Sequence, residues 1–186
     1  MVTSAGTGEG KTTLAAHLAG SLARAGRKTL LIDGDLRTPA AHQLFELPMQ
    51  PGFSEVLLGE VEAAEAVQPT AIDGLMLMPA GQWDREVVQA LARGSAAGVL
   101  EKLKEEFDFI VIDSHPVLGS ADSLLLGQHA DAVILSVRRE VSQMPKVYAA
   151  AQRLTGLGIR VLGAVVNGTD PDEVITPPAP AAALAG

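Results

Sequence analysis

Residues 5–12 read AGTGEGKT, and this glycine-rich stretch decides the fold. It closes with Gly10-Lys11-Thr12, as the phosphate-binding pattern G-x-x-x-x-G-K-[ST] does, whereas Ala5 stands where that pattern begins with glycine. Such glycines let the backbone amides curl around an anion, and the helix that follows directs its positive end to the same point. The stretch therefore predicts a phosphate-binding loop (P-loop), and a glycine-rich turn before an ordinary helix is the plainer alternative.

The loop and the first residues of its helix are predicted to bind Mg-ATP. We expect Lys11 to bridge the β- and γ-phosphates, Thr12 to bind Mg²⁺ through its hydroxyl, and Thr13 to support the α-phosphate. The residues predicted to bind the nucleotide here are Gly6, Thr7, Gly8, Glu9, Gly10, Lys11, Thr12 and Thr13.

Acidic residues close two apolar runs further along the chain. Asp33 and Asp35 follow the run 28–32, and Asp113 follows the run 107–112. Carboxylates at such strand ends can bind Mg²⁺ or accept a proton from an attacking hydroxyl. An aspartate that merely caps a helix or makes a turn is the alternative at each position.

Apolar runs alternate with helical patterns from one end of the chain to the other. The runs are continuous rather than alternating, which is typical of parallel strands buried on both faces. The sequence therefore predicts an α/β fold, a mostly parallel sheet with helices on both faces in three layers. Residues 12–25, 39–47, 53–68, 85–107, 122–128 and 145–157 are predicted helices, with 85–107 interrupted near Gly94 and Gly98.

Composition excludes several kinds of function. The 186 residues carry a formal net charge of −8, which argues against broad nucleic-acid binding, and contain no cysteine, which excludes thiolate metal sites and cysteine nucleophiles. We expect residues 1–170 to form one P-loop domain whose first strand is truncated, because only four residues precede the loop. Residues 171–186, rich in proline and alanine, are expected to be a flexible tail.

Three segments together resemble the bacterial tyrosine kinases (BY-kinases) of capsule and exopolysaccharide synthesis. They are the stretch around the loop, 2–13, the Asp-x-Asp-x-Arg-x-Pro element within 29–39, and the strand with its acid, 107–116. The stretches 51–59 and 79–81 also look like that family.

The resemblance implies ATP-dependent phosphorylation of protein tyrosines, with Lys11, Asp33 and Asp35 as catalytic residues. Asp33 would be the base for the tyrosine hydroxyl, and Asp35 and Asp113 would organise Mg²⁺ together with Thr12. Asn167 would read the adenine edge.

The resemblance also implies partners and a location. It implies a membrane-bound activator or polysaccharide co-polymerase, a homo-oligomeric ring and tyrosine-bearing protein substrates, but no nucleic acid. The chain would be cytoplasmic, at the inner face of the plasma membrane through its partner or a missing N-terminal region. Arg37 could steady phosphate charge or make a subunit contact.

Three features depart from the family pattern. The tail lacks the usual tyrosine cluster, so Tyr148 is the only tyrosine of the chain. His115 replaces a proline after Asp113, and we interpret it as an exposed loop histidine, with contact to phosphate as the alternative. Residues 82–91 replace the family's Asn-Pro-x-Glu-Leu-Leu stretch.

Two other functions remain open. A partition or septum-placement ATPase would carry a lysine where this chain has Gly6, which weighs against it. A non-catalytic ATP-binding module is compatible with the lack of tail tyrosines, although nucleotide binding alone does not need both Asp33 and Asp35.

Overall fold

A computed structural model of the chain describes residues 1–169. The predicted tail, 171–186, lies outside the described residues. The strands are β1 (Val2–Ser4), β2 (Thr29–Gly34), β3 (Gln68–Pro69), β4 (Leu75–Met78), β5 (Phe109–Ser114), β6 (Val133–Arg138) and β7 (Val161–Asn167). The helices are α1 (Lys11–Arg24), α2 (Ala41–Leu44), α3 (Phe53–Leu58), α4 (Ala63–Ala66), α5 (Arg85–Ala92), α6 (Ser95–Lys104), α7 (Asp122–Gly127) and α8 (Met144–Gly156).

The strands form one sheet in the order β3-β4-β2-β5-β1-β6-β7. All neighbours are parallel except β3, which pairs antiparallel with β4. The short β1 lies between β5 and β6, so the P-loop leaves the sheet from its centre. Asp33 stands beside Asp113 in the register of β2 and β5. The predicted fold, a mostly parallel sheet, is confirmed.

Helices cover both faces of the sheet, as the apolar runs predicted. Leu31 of β2 packs with α1 on one face, whereas its neighbours Leu30 and Ile32 pack with α3, α5 and α6 on the other. Every residue of β2 is buried. A third apolar cluster joins α8 to β6. The three-layer arrangement is therefore confirmed.

Two predicted helices are each divided in two. The segment 53–68 breaks at Gly59, which takes the left-handed conformation that ends α3, and α4 follows. The segment 85–107 breaks at Gly94, which is also left-handed, but Gly98 lies inside α6. The predicted break at Gly98 is thus wrong, because a helix tolerates an isolated glycine whose φ stays negative.

The two edges of the sheet differ from the predicted buried strands. The two-residue β3 was not predicted, because it is too short to show any hydrophobic period. β7 forms from the last apolar run of the chain, but it is largely exposed, with Leu162, Val165 and Val166 between 38% and 59% accessible. Within residues 1–169, no helix is both long enough and apolar enough to cross a membrane.

Candidate nucleotide and phosphoryl-transfer site

The P-loop turns through two glycines with positive φ. Gly8 has φ 76° and Gly10 has φ 82°, and Gly10 is the residue that caps the start of α1. Glycine adopts this conformation without strain, which explains the glycine that the pattern requires at position 10 and the further glycine that this chain has at position 8. A Cβ at Gly10 would also lie 3.2 Å from Asn167 Nδ2. The loop is therefore tight, and its amides precede a helix of 14 residues.

Glu9 is a buried acid within the loop. Its carboxylate accepts a hydrogen bond from the Gly6 backbone amide at 2.8 Å, and its side chain is almost inaccessible. Ser136 Oγ of β6 donates to the Glu9 carbonyl at 2.7 Å. These bonds hold the loop from inside and from the neighbouring strand. Glu9, which was predicted only as one residue of the loop, therefore helps to fix its shape.

Asn167 lies at the carboxyl end of β7, against the P-loop. Its Nδ2 atom donates to Ser136 Oγ at 2.8 Å and approaches the Glu9 carbonyl at 3.4 Å. The structure thus places the residue predicted to read adenine directly beside the loop.

Lys11 and Asp35 form an ion pair at the start of α1. Lys11 Nζ lies 2.8 Å from Asp35 Oδ2, and both side chains are largely buried. Burial alone would raise the pKa of Asp35, but Lys11 and the His115 ring outweigh it and hold that pKa below its ordinary value. Two residues predicted to be catalytic are therefore in direct contact.

Asp33 is fully buried and bonded to the backbone. Its Oδ2 atom accepts the amides of Ala40 and Ala41 at 3.1 and 2.9 Å, and its Oδ1 atom accepts the amide of Asp35 at 3.3 Å. Burial raises the pKa of Asp33 to about 6, although the Ala41 and Ala40 amides oppose this. Asp33 therefore shapes the segment between β2 and α2.

Asp113 is fully buried and accepts no well-formed hydrogen bond from residues 1–169. Burial raises its pKa to about 7, although the nearby Thr12 side chain and the charge of Lys11 lower it. A buried carboxylate without a partner is costly, and such groups usually serve chemistry or bind an ion. Asp113 has the free oxygens that a cation needs.

A magnesium ion fits the residues at this point. No group of three or more His, Asp or Glu side chains within the described chain could hold a metal alone. Magnesium typically takes one or two protein carboxylates and completes its shell with phosphate and water. The unpartnered Asp113 oxygens beside Thr12 meet that requirement, whereas Asp35, the third predicted ligand, is engaged by Lys11 and His115.

His115 belongs to the acidic site, so its interpretation as an exposed loop histidine is wrong. Its side chain is 12% accessible, and Nδ1 lies 2.8 Å from Asp35 Oδ1. An ionised carboxylate can only accept, so this nitrogen carries the hydrogen and donates it. Gly119 makes room for the ring, since a Cβ there would lie 2.9 Å from His115 Nε2. The replacement of the family's proline was the sequence signal.

Replacing His115 with alanine is expected to lower the free energy of unfolding by about 2 kcal/mol, because a buried carboxylate loses a donor. Urea unfolding at neutral pH measures this loss. His17, which is exposed on α1, is the matched control, and His17→Ala should change stability by less than about 0.5 kcal/mol. Equal effects of the two substitutions would contradict the role assigned to His115.

Arg37 has two partners at the same edge of the sheet. Its Nε atom lies 2.8 Å from Asp122 Oδ2, and its guanidinium stands 5.9 Å from the centre of the Trp83 ring. Trp83 belongs to the segment 82–91 that departs from the family pattern. The Asp-x-Asp-x-Arg element is therefore linked to the first residue of α7 and to the loop before α5.

The two stretches 51–59 and 79–81 pack against each other. Phe53 and Ser54 donate their backbone amides to the carbonyls of Pro79 and Ala80. Gly52 permits this contact, because a Cβ there would lie 2.3 Å from the Gly81 nitrogen. Sequence features that looked separate therefore form one supporting unit beside β4.

Comparison with known proteins agrees with this geometry. A family profile described as "AAA domain" matches residues 2–153. The tyrosine-protein kinase YwqD of Bacillus subtilis is 33% identical over 168 residues, which is 90% of this chain and 71% of that protein. The kinase domain of the Escherichia coli tyrosine kinase Etk superposes with a TM-score of 0.88 at 28% identity, over 95% of this chain and 69% of that domain. The chain spans only 23% of full-length Etk.

Septum-placement ATPases are more distant. MinD of Pyrococcus horikoshii, solved with Mg-ADP, superposes with a TM-score of 0.76 at 26% identity, over 89% of this chain and 68% of that one. The shared fold explains this similarity, and the kinases match more closely. The chain belongs to the bacterial tyrosine kinases of capsule and exopolysaccharide biosynthesis, within the P-loop nucleotide-binding proteins.

Proposed function

We propose that this chain transfers the γ-phosphoryl group of ATP to protein tyrosines and thereby regulates the synthesis and export of an extracellular polysaccharide. The observation that carries the proposal is the meeting of three buried acids, Asp33, Asp35 and Asp113, with Lys11 at the start of α1. Nucleotide binding alone does not require three carboxylates there. Phosphoryl transfer does use such groups, since it depends on positioning and on stabilising charge.

Binding of ATP requires Lys11 to change partners. In the structure its ammonium is paired with Asp35, so the β- and γ-phosphates must compete with that carboxylate. The amides of the P-loop and the positive end of α1 favour the phosphates in this competition. Asp35 keeps His115 and the Thr38 amide and hydroxyl as donors after Lys11 leaves. After the exchange Asp35 therefore keeps its donors at Oδ1, whereas Oδ2 loses the ammonium.

Thr12 and Asp113 are the residues we assign to Mg²⁺. The ion, when bound, neutralises charge that develops on the phosphates. Binding of the ion would also offset the free-energy cost of burying the Asp113 carboxylate. Asp35 would contribute from farther away, through its charge.

Asp33 is our candidate for the base. A pKa of about 6 suits a group that accepts a proton near neutral pH. Its hydrogen bonds to the amides of Ala40 and Ala41 would also orient it. Asn167, beside the loop, would hold the adenine edge.

The membrane activator, the ring of subunits and the cytoplasmic location beneath the plasma membrane are parts of the same proposal. They are supported by membership of the kinase family alone. The acidic net charge of −8 supports the absence of nucleic acid among the partners.

The test is an assay with Mg-ATP and a glutamate–tyrosine copolymer as acceptor. We expect phosphotyrosine with the wild-type chain and a loss of at least about 100-fold in kcat with Asp33→Asn, in line with removal of a general base. Asparagine has nearly the size of aspartate and keeps one side-chain oxygen that can accept hydrogen bonds from the backbone amides around Asp33. ATP binding, measured by calorimetry, should be nearly unchanged in this variant.

The control for this assay is a substitution at an acid other than the three buried acids. Asp131 is an exposed acid on the loop before β6, so Asp131→Asn should transfer phosphate at the wild-type rate. Tight Mg-ATP binding without any transfer by the wild-type chain would instead support the non-catalytic module.

A further inference from the structure

A short chain of hydrogen bonds joins the end of β7 to the P-loop through β6. Ser136 is almost completely buried, and its hydroxyl donates a hydrogen bond to the Glu9 carbonyl at 2.7 Å. The same oxygen accepts a hydrogen bond from Asn167 Nδ2 at 2.8 Å. A serine hydroxyl has one hydrogen and a carbonyl oxygen can only accept, so the direction of both hydrogen bonds is fixed.

These hydrogen bonds also fix which way the Asn167 amide faces. If the amide turned over, Oδ1 would lie against Ser136 Oγ, whose single hydrogen already goes to the Glu9 carbonyl. Oδ1 would also lie near that carbonyl, which Nδ2 approaches at 3.4 Å. The reversed amide therefore loses a hydrogen bond and brings acceptors against each other, which disfavours it.

The other atom of this amide, Asn167 Oδ1, is left for a ligand. It accepts no hydrogen bond from residues 1–169, and it is not buried, so a ligand can reach it. An asparagine side chain offers both donors and an acceptor. Because Nδ2 already has two acceptors within the protein, only the acceptor is presented. Such a group binds a hydrogen-bond donor and repels a second acceptor.

The substituent at position 6 distinguishes purine bases in the same terms. Adenine carries an amine there, which donates, whereas guanine and hypoxanthine carry an oxygen, which accepts. We propose that Ser136 is a positioning residue that sets the choice of purine, because it fixes the Asn167 amide with Oδ1 towards the base. The site then favours a 6-aminopurine over a 6-oxopurine. The inference rests on the proposed function, in which Asn167 holds the adenine edge.

The test compares the dissociation constants of Mg-ATP and Mg-ITP, whose bases differ only at position 6 and the adjoining N1. We expect the wild-type chain to bind ITP at least about tenfold more weakly than ATP, as measured by calorimetry. Ser136→Ala should reduce this preference to about threefold or less, because the released amide can turn Nδ2 towards the 6-oxygen. Ser136→Thr keeps the hydroxyl and should keep the preference.

Two further substitutions separate this role from a structural one. Ser54 is equally buried, and its hydroxyl donates to the Ala80 carbonyl at 2.8 Å, so Ser54→Ala removes a similar hydrogen bond. It should leave the ratio of the two dissociation constants unchanged. When Asn167 is already alanine, Ser136→Ala should change that ratio by less than about twofold, since the amide through which Ser136 acts is gone. Ser136→Cys, with a weakly bonding thiol, replaces Ser136→Ala if circular dichroism shows that the latter is unfolded.

Three outcomes would count against the inference. Equal binding of ATP and ITP by the wild-type chain would overturn it. So would a Ser136→Ala chain that binds both nucleotides more weakly by the same factor, because a structural role alone would do this. Absence of any Mg-ATP binding by the folded wild-type chain would instead overturn the proposed function, and this inference with it.

Discussion

Replacing Lys11 with alanine is expected to raise the dissociation constant of Mg-ATP by about 100-fold, or roughly 2.7 kcal/mol. The reason is the loss of the ammonium that lies at the start of α1, where the loop amides and the helix dipole already favour phosphate. Isothermal titration calorimetry measures the change. Lys146, which borders the same cavity as Gly6 and Thr7, is the matched control, and Lys146→Ala should shift the constant by less than about threefold.

A second variant separates binding from folding. Lys11→Ala removes the cation that pairs with the buried Asp35 carboxylate, and this loss can cost about 3–5 kcal/mol of stability. Lys11→Met combined with Asp35→Asn removes both charges, so it should recover most of that stability without recovering ATP affinity. Recovery of affinity in the double variant would show that Lys11 acts through folding alone.

Replacing Asp113 with asparagine is expected to stabilise the protein at pH 8 by about 2 kcal/mol when Mg²⁺ and ATP are absent. A pKa raised from 3.8 to about 7 means that ionising the buried carboxylate costs about 4 kcal/mol. Asparagine avoids this cost, but burying its side-chain amide cancels part of the stabilisation. Chemical denaturation in the presence of a chelator measures the difference. The substitution should also abolish the extra stability that Mg-ATP gives the wild-type chain.

The pH dependence of this effect follows from the direction of the shift. Between pH 4 and pH 7 the unfolded chain has released the Asp113 proton and the folded chain has not, so wild-type stability falls as the pH rises. Asp33, with a pKa of about 6, adds a similar fall between pH 4 and pH 6. The advantage of Asp113→Asn should therefore shrink as the pH falls towards 4, where the folded acid keeps its proton and the unfolded acid begins to take one up.

The control is again Asp131→Asn, since that acid is exposed on the loop before β6. Destabilisation by Asp113→Asn at pH 8 would contradict the account, because it would mean that Asp113 has an undetected partner in the folded protein.

The main features of the fold could be predicted because they follow local and repeated patterns. The loop from Gly6 to Thr12 needs its glycines, and the apolar runs of β2 and β5 need burial on both faces. Parallel strands bring their carboxyl ends to one edge, so the sequence predicts that Asp33 and Asp113 face the same edge, whereas their adjacency depends on the pairing of β2 with β5. These inferences require no knowledge of contacts between distant side chains.

The details that escaped prediction depend on such distant contacts. Nothing near Asp33 in the sequence indicates that the amides of Ala40 and Ala41 return to its carboxylate. Similarly, the bond from His115 to Asp35 joins residues 80 positions apart. Asn167 could be placed at a strand end, but its bond to Ser136 depends on the pairing of β6 with β7.

The indole beside Arg37 gives the protein an optical probe of its own. Trp83 is the single tryptophan of the chain, and it stands over a guanidinium whose loop begins at Asp35. Its emission thus comes from one place, next to the residues that exchange partners when phosphate arrives. A change in that fluorescence on addition of Mg-ATP would report any change in the contact between Trp83 and Arg37 in real time, without a dye or a label.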